Sequence, residues 1–248
     1  MSQVDLPSQK ELLWHRMRSD LTSLMPYFRD KEVLLCPACC RPITFDDFSV
    51  EHVVPKQALA LDPTDARNAV TQNTRSGLTL LCRKQLVING KKIPGNGCNG
   101  WKGKHFDASL RKLIGSKIQS ITTRDQVALF IAGYLALVRE YGYQIVLSEA
   151  GRLCRAQFFH PNDFRMEIPW NCQIILGGAP RADFTDDAKS YWSEPFKITI
   201  DGPTALIILR HMGFRVPISR DPSTPIARVL PYAPLRFTFR PDGRTFFD

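Results

Sequence analysis

The sequence predicts an α+β fold in two units, residues 1–119 and 120–248, on three observations. Residues 8–28 repeat apolar side chains at helical spacing. Residues 48–117 run in the order strand, strand, helix, with cysteines at the edges. From residue 143 the chain turns β-prone, and eleven of its 18 prolines follow residue 160. At 248 residues and 44% apolar composition, the chain can bury roughly 70–75% of its unfolded surface and needs no disulfide staples. The charged fraction of 23% argues against a disordered chain, a collagen or a coiled coil.

The N-terminal helix carries Leu12, Leu13, Met17, Leu21, Leu24 and Met25 on one stripe, and Pro26 loosens its end. Phe48 to Val54 is β-prone and stops at Pro55, because proline cannot continue a central strand. Lys56 to Thr74 reads as a loop with a helical turn. Gly77 to Cys82 reads as a second strand. Asn99 is a residue able to cap a helix running to Lys117, with Phe106, Leu110, Leu113 and Ile114 inward. In the second unit, Thr123 and Gln126 form a capping box for a helix to Tyr141 that is apolar almost all round and therefore buried. Strands are expected at Gln144–Leu147, Ala156–Phe159, Gln173–Leu176, Phe196–Ile200 and Arg236–Phe239. The longest apolar run, Val127 to Val138, is too short to span a bilayer. The N-terminus has no basic region followed by an apolar run, so the expected location is cytoplasmic, with no membrane partner.

Charge is uneven. Of the net +9, residues 1–119 carry 18 Lys/Arg against 11 Asp/Glu, and residues 120–248 carry 15 against 13. Arg83, Lys84, Lys91, Lys92, Lys102 and Lys104 occupy one acid-free stretch. Such a stripe attracts polyanions through release of their counterions, which makes these six residues candidate nucleic-acid contacts.

Seven cysteines without a secretion signal argue against a disulfide framework. Cys36 and Cys39 form a C-x-x-C knuckle, with Cys40 as an alternative to Cys39. Cys82 and Cys98 supply a second half-site if the segment between them leaves and returns to one place. Asn89-Gly90 and Pro94-Gly95-Asn96-Gly97 have the turn chemistry for that. Four thiolates suit one structural zinc ion. Cys154 and Cys172 are expected in the core.

The chemistry concentrates in Ser49-Val50-Glu51-His52-Val53-Val54-Pro55, in Leu78-Thr79-Leu80-Leu81-Cys82 and in Cys98-Asn99-Gly100-Trp101-Lys102-Gly103. If the first strand touches the helix, Glu51 and Asn99 offer two oxygen ligands to one hard cation. Mg²⁺ and Mn²⁺ suit few protein ligands plus water and phosphate oxygens. His52 titrates near neutrality and suits a base that takes a proton from water.

These motifs resemble the HNH endonucleases, the His-Me finger or ββα-metal group. They are similar to the zinc-containing branch that includes a phage Holliday-junction resolvase, in which Asn directly follows the last cysteine. The resemblance covers about residues 30–115. It implies a zinc-bound ββα-metal nuclease core behind an N-terminal helix, followed by a C-terminal α+β domain. It implies His52 as general base, Glu51 and Asn99 as ligands of catalytic Mg²⁺ or Mn²⁺, and Cys36, Cys39, Cys82 and Cys98 as ligands of structural zinc. Glu51 stands where the family usually has Asp, and Gly77 stands where it has its middle Asn; Asn73 is a candidate substitute. His105 is a further candidate metal ligand or a surface residue.

The expected function is hydrolysis of DNA phosphodiesters, with DNA favoured over RNA, in phage defence or restriction. Two alternatives follow from the same residues. One is a zinc-stabilised nucleic-acid-binding module without catalysis. The other is a nuclease effector switched on by a partner protein. Residues 120–248 would then serve specificity, partner docking or homodimer formation.

Overall fold

Ser8 starts the first helix by a reciprocal cap. Its hydroxyl accepts from the Glu11 amide at 3.3 Å, and its own amide donates to the Glu11 carboxylate at 2.6 Å. We describe a computed structural model covering residues 7–85, 87–88, 91–92, 97–115, 120–163, 175–176, 192–201, 204–210 and 212–218. Helix α1 (Gln9–Leu24) ends before Pro26 and buries Leu13, Trp14, Met17 and Leu21. Leu12, expected on that face, is exposed; Trp14 takes its place.

Strands β1 (Leu34–Leu35) and β2 (Pro42–Ile43) form a short antiparallel pair that closes the Cys36–Arg41 turn. Strand β3 (Phe48–His52) pairs antiparallel with β4 (Leu78–Cys82), with Glu51 opposite Thr79 and His52 opposite Leu78. The link between them is not a loop. It holds three short helices, α2 (Lys56–Leu59), α3 (Thr64–Ala69) and α4 (Gln72–Ser76). Strands β5 (Val87–Ile88) and β6 (Lys91–Lys92) make a small hairpin after β4. The expected helix from Asn99 divides into α5 (Gly97–His105) and α6 (Asp107–Gly115). Asn99 is not its cap: the helix begins at Gly97, and the Asn99 amide donates elsewhere.

Helix α7 (Thr123–Tyr141) is buried along most of its length, as its composition requires. Its cap lies one residue earlier than expected. Thr122 accepts from the Asp125 amide at 3.2 Å, and the Asp125 carboxylate accepts from the Thr122 amide at 3.0 Å. Lys112 also donates to that carboxylate, at 2.8 Å, which favours Asp125 over Gln126 as the reciprocal partner. Gly142, at φ +69°, ends α7 in a conformation open to glycine.

The next two segments correct the sequence reading. Gln144–Leu147 and Ala156–Phe159 are not strands. They belong to α8 (Tyr143–Val146) and to α9 (Glu149–Gln157) and the turn beyond it. Ala150, Leu153, Cys154 and Gln157 are buried on one helical stripe, and a short apolar run does not by itself separate strand from buried helix. Strands β7 (Ile175–Leu176), β8 (Lys197–Asp201), β9 (Thr204–Leu209) and β10 (Met212–Pro217) then form an antiparallel sheet in the order β7-β10-β9-β8. The strand expected at Arg236–Phe239, and Cys172, lie outside the described residues.

Buried apolar side chains form one cluster from Leu13 to Ile218, and α6 and α7, on either side of the expected boundary at 119/120, both contribute to it. Gly133 lets the sheet approach α7, since a Cβ there would lie 2.5 Å from the Phe214 ring and 2.9 Å from Ile207. Tyr134 Oη donates to Pro37 O at 2.7 Å and Tyr143 Oη donates to Leu35 O at 2.6 Å, tying α7 and α8 to the cysteine turn. An ionic cluster does similar work elsewhere. The buried Asp62 carboxylate pairs with Arg75 of α4 and, at 3.2 Å, with Arg210 after β9. Burial raises the Asp62 carboxyl above its ordinary range, and Arg210 and Arg75 oppose that. Asp62→Asn removes the carboxylate shared by the two guanidinium groups, so a loss of about 3 kcal/mol is expected, read by denaturant unfolding. An unchanged midpoint would show the cluster to be energetically idle.

Candidate metal centre and adjoining polar site

The cysteine turn is built from the backbone. The Cys36 amide donates to Arg41 O at 2.9 Å, and the Cys40 amide donates to Cys36 O at 2.7 Å. This loop aims Cys36 and Cys39 at Cys98 in the first turn of α5. The three Sγ atoms lie within 4.8 Å of one another, with Cys36 and Cys98 fully buried. A buried trio at this spacing can hold a metal such as zinc. The thiols already crowd one another: bonds from Cys36 and Cys98 pull the Cys39 thiol down to about 3. Burial pushes Cys36 up, and bonding to Cys36 and Cys39 pushes Cys98 up. One thiolate shared by two S–H donors is a state that a soft cation would replace.

The segment between Cys82 and Cys98 does return to its start. Gly97 has φ +68°, and a Cβ there would lie 2.5 Å from Lys84 O and 2.6 Å from Cys82 O. Only glycine allows that approach. Cys82, expected as the fourth ligand, is buried beside the trio. Its amide donates to Cys36 Sγ at 3.5 Å, while its own thiol faces Lys84 O at 3.5 Å. The three-thiol group does not include it. Cys40, at φ +56°, is outside the group as well.

From Cys98, α5 crosses the face of β3 that carries Ser49 and Glu51. Asn99 Nδ2 donates to Ser49 Oγ at 2.7 Å and to Val50 O at 3.4 Å. One turn on, Lys102 meets Glu51. This lysine was expected to reach a nucleic-acid phosphate; it is fully buried, and that expectation is corrected. Its ammonium donates to Glu51 Oε1 at 2.6 Å, Asp107 Oδ1 at 2.8 Å and His52 O at 3.0 Å, which uses all three protons. Burial would lower the Lys102 pKa, but Glu51 and Asp107 outweigh it and the net direction is upward. Burial raises the Glu51 carboxyl, and Lys102 opposes it. Among the described residues, Glu51 Oε2 and Asn99 Oδ1 accept no hydrogen bond.

His52 ends β3, and its ring is partly exposed. Its Nδ1 lies 2.8 Å from Ser76 Oγ. Burial, with the charges of Lys56 and Lys102, holds its pKa down to about 4, so the ring is neutral at pH 7. Asn73, the candidate substitute for the middle asparagine, enters through its backbone: its carbonyl accepts from Ser76 Oγ at 2.8 Å. His105 stacks on Trp101 at 3.9 Å between ring centroids, and its Nδ1 lies 3.5 Å from Arg124, away from the thiol trio. Trp101 Nε1 donates to Phe158 O at 2.8 Å, a structural role.

Arg83, Lys84, Lys92 and Lys104 are exposed, with Lys84 paired to Asp47 at 3.1 Å. The Lys91 side chain lies outside the described residues. No helix among the described residues is long and apolar enough to cross a membrane.

Sequence reasoning missed Lys102 as a buried ion, along with its partner Asp107 and the neighbour of His52, Ser76. A signal for Lys102 was present. Cys98, Lys102 and Phe106 repeat every four residues, so a helix that buries the outer two must bury the lysine between them. Comparison with family models, with curated proteins and with solved structures finds no match to this chain.

Proposed function

We propose that the protein is a metal-dependent endonuclease of the HNH kind that hydrolyses DNA phosphodiesters. The observation that carries this reading is one juxtaposition. Helix α5, anchored by the thiol trio at its start, lies along β3 with Asn99 at Ser49, Lys102 at Glu51, and His52 at the strand's end. Glu51 Oε2 and Asn99 Oδ1 are two open oxygen donors on neighbouring elements. That set, completed by water and phosphate, fits Mg²⁺ or Mn²⁺. When bound, the ion would supply charge neutralisation at the phosphate and the departing oxygen. His52, neutral at working pH, takes a proton from the attacking water, and exposed Arg83, Lys84, Lys92 and Lys104 hold the polyanion. Lys102 holds Glu51 in place.

The test is a plasmid-nicking assay with Mg²⁺ or Mn²⁺. His52→Ala should lose about 10²–10⁴-fold in rate, the range for a general base, with unchanged thermal unfolding. Equal cleavage by the variant would refute the mechanism. A second reading is favoured by the Glu51–Lys102 pair, because a carboxylate already neutralised needs no divalent ion. It is a metal-stabilised nucleic-acid-binding module without catalysis. It predicts no cleavage with any divalent ion, and a salt dependence of binding that Glu51→Ala leaves unchanged.

A further inference from the structure

Ser76 is the last residue of α4 and is completely buried. The chain turns there into β4 through Gly77, at φ +63°. Ser76 is pinned from two sides. Its carbonyl accepts from the Val54 amide at 2.9 Å, and the Gly77 carbonyl accepts from the Val53 amide at 2.9 Å. Both backbone oxygens are therefore committed to extending the β3–β4 ladder. What remains to meet the His52 ring is the Ser76 hydroxyl.

A hydroxyl has one proton. The Asn73 carbonyl can only accept, so the Ser76 proton points to it, at 2.8 Å. The oxygen lone pairs then face His52 Nδ1, also at 2.8 Å. Two acceptors cannot share that contact, so Nδ1 must carry hydrogen. Among the described residues nothing bonds to Nε2.

We infer that Ser76 is a positioning residue that fixes the neutral His52 ring as the Nδ1–H tautomer, leaving the Nε2 lone pair as the proton acceptor. The use of that lone pair rests on the nuclease reading above; the tautomer itself does not. Without Ser76 the ring is free to rotate and to adopt the Nε2–H form, which places the proton where the base must be empty.

The experiment is ¹⁵N NMR of the imidazole nitrogens in the full chain, with His52 assigned by comparison with His52→Ala. The expected wild-type spectrum has Nδ1 in the protonated, pyrrole-like range and Nε2 in the unprotonated, pyridine-like range. Ser76→Ala should move both shifts toward a mixture, with amide spectra showing an intact fold, and should lower kcat by about 10–100-fold with little change in KM. A wild-type Nε2–H tautomer, or an unresolved mixture, overturns the inference whether or not the protein cuts DNA. Nδ1–H in a protein that cuts nothing supports the inference and counts against the nuclease reading. Should Ser76→Ala fail to fold, the wild-type spectrum alone decides.

Discussion

If the thiol trio holds a structural metal, chelating it or substituting Cys98→Ser is expected to unfold the chain at ordinary temperature. Structural thiolate sites bind zinc with roughly 10–16 kcal/mol in small peptides, much of it available as folding energy. The whole stability of a domain is only about 5–15 kcal/mol. Cys36 and Cys98 are fully buried and meet Cys39 between the β1–β2 turn and the start of α5. Loss of the ion would leave one buried thiolate held only by two S–H donors, and would release the helix that carries Asn99 and Lys102. Metal analysis of the purified protein, with circular dichroism melts with and without a chelator, checks this. A metal-free chain melting at the same temperature in both conditions would contradict it.

Lys102→Met is the second large effect. The substitution keeps the stem's volume but removes the one cation serving both Glu51 and Asp107. Leaving a buried carboxylate unpaired typically costs 3–5 kcal/mol, and two dependants place this variant near the upper end, about 4–5 kcal/mol. The loss should depend on pH. Burial already raises the Glu51 carboxyl above its ordinary 4.5, and Lys102 is the main opposing influence. Without the lysine, the folded variant holds a proton on Glu51 to higher pH than the unfolded chain does. Its stability therefore falls as pH rises above the unfolded value, and the gap to wild type narrows on going down toward pH 5. Urea unfolding of both proteins from pH 5 to 8 measures the gap. A constant difference would mean that Glu51 does not respond to the ammonium. Glu51→Gln combined with Lys102→Met should recover part of the loss, because the charge left without its partner is then gone.

Much of this architecture was legible because it is local. The Cys36-x-x-Cys39 turn, the β-prone runs that became β3 and β4, and the apolar α7 each carry their instruction within a few residues. The strand expected at Gln144–Leu147 failed because burial of every residue of α8 erases the period that distinguishes strand from helix; the one at Ala156–Phe159 failed because it takes in only the end of a helix whose buried stripe, Ala150, Leu153, Cys154 and Gln157, lies mostly upstream. The cap of α7 shifted by one residue because Lys112, thirteen positions upstream, bonds to Asp125. For the polar site, the pairing of Glu51 with helix α5 was anticipated, but its occupant was not. A lysine in a basic stripe reads as solvated. Its burial depends on two carboxylates, one of them 51 positions upstream, which no local window contains. Ser76 was invisible for a related reason: its hydroxyl matters only once the β3–β4 ladder has consumed the carbonyls beside His52.

The close approach at Gly97 has an outcome for what the chain can tolerate. Because the stretch that leaves Cys82 comes back to within touching distance, it is a ring closed at its base, and neither the β3–β4 pair nor α5 registers its size. Chain statistics make each doubling of such a ring cost only about 0.6 kcal/mol. The positively charged appendage can therefore be lengthened, shortened or recoded with little penalty while the sulfur-lined seat beneath stays intact.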